Sequence, residues 1–338
     1  MMAVQELRAA RDLYPMKFAP LFQYRPWGGR RFQDIFGWEL PGDGLIGEAW
    51  ILSDRTDLAS VVSNGPLQGT TLAALLENYP HAMLGSQEGR FRRFPLLLKF
   101  LDVQKTLSVQ VHPGDNRPDL LPPGEMGKTE GWVVLDAHQK SRIYAGVKPG
   151  VTPDDLRNLT RDTVDQRLNF FHPNPGDSVL VEAGTVHALG GGAVVFEVQE
   201  NSDVTFRLYD WNNIDPATGK LRPLQVEKAL SCVDFEKANV KPVALESLKA
   251  SANSRDLALD CSHFRVWRVA RDTPVGVGGD GLCRVCVFIE GAGLLESSKT
   301  PLECRKGDVV VLAASLGTCW FEPRGPAQFL EIMIPEAP

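Results

Sequence analysis

The sequence predicts a mostly β protein, built as barrels or sandwiches in two halves. Short strand-like runs recur along the whole chain, cut by turns that draw on 31 glycines and 24 prolines. No Gly-x-Gly-x-x-Gly follows a strand and opens a helix, so a dinucleotide-binding βαβ fold is not implied. Gly307–Asp308 followed by VVVLAA mirrors Gly176–Asp177 followed by SVLVEA, a weak internal repeat. The 338 residues are enough for two domains of ordinary size.

In chain order, GEAWILSD (47–54) and ASVVSNG (59–65) read as strands around a turn. TLAALLENY (71–79) reads as a short helix capped by Thr70 or Thr71. FPLLLKFLDV (94–103) and LSVQVHP (107–113) are successive strands, and EGWVVLDAH (130–138) with SRIYAGV (141–147) suggests a pair. Residues 153–168 read as one helix, with Pro153, Asp154 and Asp155 where a helix start favours proline and acids. PGDSVLVEAGTVHAL (175–189) reads as strand, turn, strand, and 194–211 as two strands split near Asn201–Asp203. A helix over 223–236 then leads into a second set of strands from 260 onward.

An apolar fraction of 43% and a charged fraction of 23% fit a soluble globular protein. A net charge of −6 argues against a large nucleic-acid footprint, which needs clustered lysine and arginine. It leaves room for a small anion, because one or two local cations hold a phosphate in an acidic protein. The first residues carry charges where a signal peptide needs an apolar core, and no apolar run reaches membrane-spanning length. A cytoplasmic protein with free thiols is expected. The six cysteines lie at 232, 261, 283, 286, 304 and 319. Cys283 and Cys286 imitate a CxxC pair, but that spacing within a strand sends them to opposite faces, which suits zinc poorly.

The chemistry concentrates in SVQVHP (108–113). Strand alternation puts Ser108, Gln110 and His112 on one face and Val109 and Val111 on the other. Glu130, after the GKTE turn and before WVVL, enters a sheet interior, where a carboxylate must be paired or ligated. His187 opens a strand just after Ala183–Gly184. Gln110, His112, Glu130 and His187 together form a four-ligand nitrogen and oxygen set that suits zinc best, while manganese, cobalt, nickel and iron share the same ligand types. Lys99, Lys128, Glu197 and Arg207 also interrupt apolar runs; each reads either as a barrel-end ion pair or as part of a phosphate clamp and acid–base group. The second half has LGTCW where the first has AGTVHAL, so its histidine is gone and no metal is expected there.

These residues resemble a known family, the type I mannose-6-phosphate isomerases, zinc-dependent enzymes of the cupin superfamily, in their short bacterial form. The likeness runs through RPWGGRRF (25–32), GEAWILSD, NGPLQGTTLAALL (64–76), 94–113, GKTEGWVVL (127–135), 175–192 and 195–211 to LQVEKAL (224–230), in order. It implies two jelly-roll domains: 1–222, holding the metal and the 153–168 segment, and 223–338, structural, or a lid or wall for the site. It also implies that Gln110, His112, Glu130 and His187 bind one zinc, that Arg207 is an active-site arginine, and that Lys99, Lys128 and Glu197 lie near the site. Ser108 matches a residue that touches the substrate phosphate. The implied reaction interconverts mannose 6-phosphate and fructose 6-phosphate through a cis-enediol. Glu197 and Lys128 are expected to act in catalysis with Arg207, and Ser108, Lys99, Lys128 and Arg207 to bind the sugar phosphate. Lys99 also remains open as the base. The expected partner is this small substrate alone, with no nucleic acid or membrane, in a monomer or weak homodimer. The alternatives are a non-catalytic sugar-phosphate-binding cupin and an isomerase of another sugar phosphate.

Overall fold

A computed structural model describes residues 13–237, 240–243 and 253–336. The fold is mostly β with a few short helices. The chain groups into two compact units. One takes Phe22–Trp50 and Leu98–Ala244; the other takes the described residues of Met1–Leu21, Ile51–Leu97 and Leu245–Pro338. The units interleave along the chain, whereas the sequence reading divides it once, at 222/223. One cause is local to the second unit: its strand Met16–Phe18 pairs with Val309–Leu312, so an N-terminal segment completes a sheet of C-terminal strands.

In the first unit two open sheets face each other, rather than one closed barrel. A six-stranded sheet runs Ser178–Val181, Glu130–Ala137, Ala193–Glu200, Leu96–Val103, Ile46–Leu52, Leu21–Gly29. A five-stranded sheet runs Leu168–Phe171, Ile143–Val147, His187–Leu189, Val109–Val111, Phe206–Tyr209. Trp132, Val134, Val179 and Val195 of the first pack against Ile143 and Leu189 of the second. The outer face of the five-stranded sheet carries Val109, Val111, Ala188 and Phe206, which pack on Leu156 and Ala229 of the helices Pro153–Arg157 and Val226–Cys232. Burying those apolar side chains outside leaves the intervening polar residues pointing between the sheets.

The strands 130–138 and 141–147 form, but not as a pair. Ser178–Val181 and Ala193–Glu200 occupy both edges of Glu130–Ala137, and Leu168–Phe171 and His187–Leu189 occupy both edges of Ile143–Val147. The turn at His138–Ser141 instead carries the chain from one sheet to the other. The 153–168 segment is two short helices, Pro153–Arg157 and Val164–Arg167. Thr152 and Asp155 form a capping box at the first, and then the Thr163 hydroxyl accepts from the Thr160 backbone N–H and bonds back to its carbonyl. Such local side-chain bonds compete with helix continuation. Over 59–65 only Leu58–Ala59 pairs as a strand, with Asp54–Arg55; Val61 and Val62 make isolated bridges. Thr71 caps the helix Leu72–Asn78, accepting from Ala74 N–H.

The second unit also stacks two sheets, with Phe288 and Phe329 of one against Phe321 and Leu295 of the other. The internal repeat is real at backbone level. Gly176 N–H donates to Val134 O and Val134 N–H to Asp177 O, each at 2.8 Å. Gly307 N–H donates to Phe288 O at 2.8 Å and Phe288 N–H to Asp308 O at 2.9 Å. The same Gly-Asp turn therefore closes onto a central strand in both units. No helix of the described residues is long and apolar enough to cross a membrane.

Candidate metal centre and substrate cavity

The five-stranded sheet aligns the first site residues. Gln110 pairs in register with His187 on one neighbouring strand and Arg207 on the other. Directly opposed residues share a face, so these three side chains form a row toward the interior. The loops before the ligands are fixed by glycine. Gly184 adopts φ +86 and donates to His112 O at 2.9 Å, which ties the AGTVH turn to the QVHP strand. A Cβ on Gly127 would stand 2.4 Å from Asp115 N, so only glycine lets the GKTE loop lie against that strand's continuation.

His112, Glu130 and His187 converge, with their ligand atoms all within 4.8 Å of one another and each side chain buried. His112 Nδ1 donates to Val204 O at 2.8 Å and His187 Nδ1 to Thr185 O at 2.9 Å. These bonds fix the tautomers and leave both Nε2 lone pairs facing Glu130, at 3.4 and 3.2 Å. Burial first, then the Lys128 charge, pushes His112 down to about 3, and burial likewise lowers His187, so both imidazoles are neutral. Neither carboxylate oxygen of Glu130 receives an aligned hydrogen bond, although Lys128 Nζ lies 2.8 Å from one. Burial opposes the Glu130 charge, but the groups around it, Lys128 first among them, together outweigh burial and hold the carboxyl well below the usual range.

Two neutral imidazoles and an under-bonded buried carboxylate fit a divalent cation. Gln110 stands beside them, its Nε2 3.2 Å from His187 Nε2 and its Oε1 accepting from Ser108 Oγ at 3.1 Å. A half-turn of the amide brings the oxygen to the cluster and the NH2 to the serine hydroxyl, which accepts as well as it donates. The donor set is then completed at four.

The six-stranded sheet supplies the opposite wall as a row of alternating charge. Glu197, Lys99, Glu48 and Arg25 lie on four successive strands. Lys99 Nζ is 3.4 Å from Glu197 and 3.9 Å from Glu48, and it sits 5.0 Å from the Trp50 ring centroid. Arg25 donates to both oxygens of Glu48, at 2.9 and 3.0 Å. Burial would raise Glu48, but Lys99 and Arg25 hold it at about 2. Glu197 accepts from Trp132 Nε1 at 2.9 Å, and burial, followed by the Glu130 charge, raises its pKa. Burial disfavours the Lys128 cation, yet Glu130 and Glu197 together push its pKa above the usual lysine value.

Between the walls lies a cavity of about 440 Å³, lined by Ser108, Gln110, Lys99, Lys128, Glu197 and Arg207 among others. Arg207 Nε is buried without a hydrogen-bond acceptor, and no carboxylate of the described residues forms an ion pair with it. A guanidinium held this way suits an arriving anion.

These motifs and this fold have known counterparts. A family description, "Phosphomannose isomerase type I, catalytic domain", matches residues 16–125. The chain is 34% identical over 307 residues to the mannose-6-phosphate isomerase ManA of Bacillus subtilis, covering 90% of this chain and 94% of that protein. The chain belongs to the type I phosphomannose isomerase family. A second member, the mannose-6-phosphate isomerase of Streptococcus mutans, is 30% identical over 299 residues, covering 88% of this chain and 91% of that protein. A crystal structure of the mannose 6-phosphate isomerase from Bacillus subtilis superposes with a TM-score of 0.79 at 29% identity, covering 95% and 99% of the two chains. A phosphomannose isomerase structure from Salmonella typhimurium, at 16% identity and a TM-score of 0.75, shares the fold. The family is one of aldose–ketose isomerases.

Ser108, Lys99, Lys128, Glu197, Arg207 and Gln110 thus line the cavity, and His112, Glu130 and His187 form the cluster beside Gln110. Cys283 and Cys286 do not: both are buried in the other unit, and only Cys286 belongs to its apolar cluster. Sequence reasoning missed Glu48, Arg25 and Arg222. Glu48 carried the signal that flagged Lys99 and Glu197, a charged residue inside an apolar run, whereas Arg25 and Arg222 lie in polar surroundings that hide them.

Proposed function

We propose that this protein is a zinc-dependent isomerase that interconverts mannose 6-phosphate and fructose 6-phosphate through a cis-enediol. The observation that carries this reading is the buried His112–Glu130–His187 cluster opening, through Gln110, onto a cavity whose Arg207 guanidinium lacks an anion. The relatives' names supply the substrate.

Gln110, His112, Glu130 and His187 would hold one zinc, which supplies Lewis-acid stabilisation of negative charge on the sugar oxygens. Arg207, one strand from Gln110, adds positive charge where the enediolate develops. Glu197 and Lys128 line the same cavity and are the acid–base groups that move the proton between C2 and C1 and between the two oxygens. The raised pKa of Glu197 makes it a stronger base than an exposed carboxylate. Lys99 holds Glu197 from the neighbouring strand and faces the substrate. Ser108, which lines the same cavity, contributes a hydroxyl to the phosphate in this reading. The second unit, with no counterpart of His187, serves as structure in this reading. The six cysteines, none of them in a disulfide among the described residues, support a reducing, cytoplasmic setting, and the working unit is a monomer or weak homodimer.

The test is a coupled assay of fructose 6-phosphate formation on purified protein, with metal content measured in the same sample. Turnover that chelation abolishes and zinc restores supports the reading. Phosphosugar binding without turnover in metal-loaded protein would make this a non-catalytic cupin, and turnover of another sugar phosphate alone would replace the substrate.

A further inference from the structure

We propose that a second cavity binds a nucleoside phosphate, with the phosphate on Arg92 and Arg93 and the base on an apolar wall that includes Phe91. The cavity is built by the strand Asp54–Arg55, the helices Leu72–Asn78 and Pro80–Leu84, and the loop that carries Gly89 and Arg93. It shares no lining residue with the cavity beside the metal cluster and does not rest on the isomerase reading.

Its volume is about 520 Å³, and its lining residues all lie within Ile51–Leu97 of the second unit. Small-molecule sites span about 300–1,000 Å³, so a ligand of two parts fits. One side is apolar, formed by Leu76, Pro80, Leu84 and Phe91. Pro80 and Leu84 stand one helical turn apart on the same face. Arg90 lies over the Phe91 ring at 4.8 Å and donates to Pro335 O at 2.6 Å. That cation steadies the ring as a platform for a planar base.

The other side is cationic. Arg55, Arg92 and Arg93 line it with two carboxylates, Asp54 and Glu77, a local excess of positive charge in a chain of net charge −6. Asp54 is buried and accepts from Phe94 N–H at 2.8 Å; burial pushes its carboxyl up, and the Phe94 N–H and the Arg93 charge draw it back. Among the described residues, no acceptor bonds to the side chain of Arg92 or Arg93. Both are exposed, yet their loop is fixed at each end. Before it, Arg90 N–H closes onto Gln87 O at 3.1 Å, and buried Gln87 donates to Ile334 O and Pro335 O, each at 2.9 Å. After it, Phe94 is tied to Asp54. A loop held this way loses little freedom when a ligand arrives. An inorganic anion would use the arginines alone, and a sugar phosphate would turn hydroxyls onto the apolar wall, where they find no partner. A planar base joined to a phosphate satisfies both sides, and Glu77 supplies an acceptor for an exocyclic amine.

The experiment is titration calorimetry on the full-length, metal-loaded protein with AMP, adenosine and inorganic phosphate, each with and without saturating mannose 6-phosphate. AMP should bind with a Kd of about 1 mM or tighter in both conditions, and adenosine and phosphate each about 10-fold more weakly or worse. Arg92→Ala with Arg93→Ala should weaken AMP by about 10-fold or more, the loss of at least one charge-assisted bond, and the paired lysine variant should recover part of it. Ala73→Trp, at an exposed position on the cavity wall, should fill the space and abolish AMP binding. Should that variant fail to fold, the arginine pair still decides, because both side chains are exposed. Absence of AMP binding, AMP held no more tightly than phosphate, or unchanged affinity in the double alanine variant would each overturn the proposal. So would displacement of AMP by mannose 6-phosphate, which would place AMP in the other cavity.

Discussion

Replacing Lys99 by methionine tests the charge row that shapes the cavity wall. The lysine is 3% exposed, with its ammonium 3.4 Å from Glu197 and 3.9 Å from Glu48. At an effective dielectric constant of about 20 those separations correspond to about 5 and about 4 kcal/mol of attraction. Much of this offsets the desolvation of the ammonium, which the substitution also removes. Glu48 keeps the two bonds from Arg25, whereas Glu197 keeps the Trp132 N–H and the more distant attraction of Lys128, which Glu130 already engages. Leaving a buried charge uncompensated costs about 3–5 kcal/mol, and that is the expected loss for Lys99→Met at pH 8. The loss should shrink at pH 5. Glu197 already has a raised folded pKa, from burial and then from Glu130, and without Lys99 it rises further. A carboxyl whose folded pKa exceeds its unfolded value takes up a proton on folding. Its folded state is therefore penalised increasingly as pH climbs from the unfolded value through the folded one, and is spared below both. Urea unfolding followed by tryptophan fluorescence at the two pH values measures both quantities. Adding Glu197→Gln should recover about 1–2 kcal/mol at pH 8, because the two sites are in contact. A loss below about 1 kcal/mol, or an equal loss at both pH values, would show that the row is solvated and the reasoning wrong.

Three further outcomes are expected. His187→Ala should cut the zinc bound per chain sharply by elemental analysis of protein purified without chelator; full occupancy would remove His187 from the ligand set. Arg207→Lys should leave KM near normal and lower kcat by roughly 100-fold, because a guanidinium serving the enediolate acts mainly in the transition state; near-normal kcat and KM would take Arg207 out of the reaction. Cys283→Ser with Cys286→Ser should leave metal content and turnover nearly unchanged while lowering stability by about 1–3 kcal/mol, the effect of a hydroxyl in an apolar interior; loss of a metal equivalent would revive a CxxC site.

The metal cluster was legible because strand periodicity is local. Val109 and Val111 had to seek an apolar neighbour, and their burial on Leu156 and Ala229 turns Gln110 and His112 to the other face. Charged residues inside apolar runs, Lys99, Glu197 and Glu130, announced themselves for a similar reason, since each needs a partner that only an interior site supplies. The Gly-Asp turn repeated in each half because the same two backbone bonds close onto a central strand in both units. Pairing was not local. Nothing in 130–147 says that its two strands belong to different sheets, because the segments that take their edges come more than 20 residues later, as the pairs Leu168↔Val147, Val181↔Glu130 and His187↔Ala145 show. Nor does the sequence show that Met16–Phe18 completes a sheet with Val309–Leu312, or that Glu48 and Arg25 extend the row begun by Glu197 and Lys99. Side-chain alternation is written into neighbouring residues, whereas strand order depends on which distant edges bury the most apolar surface and satisfy each other's backbone bonds, and only the assembled tertiary structure decides that.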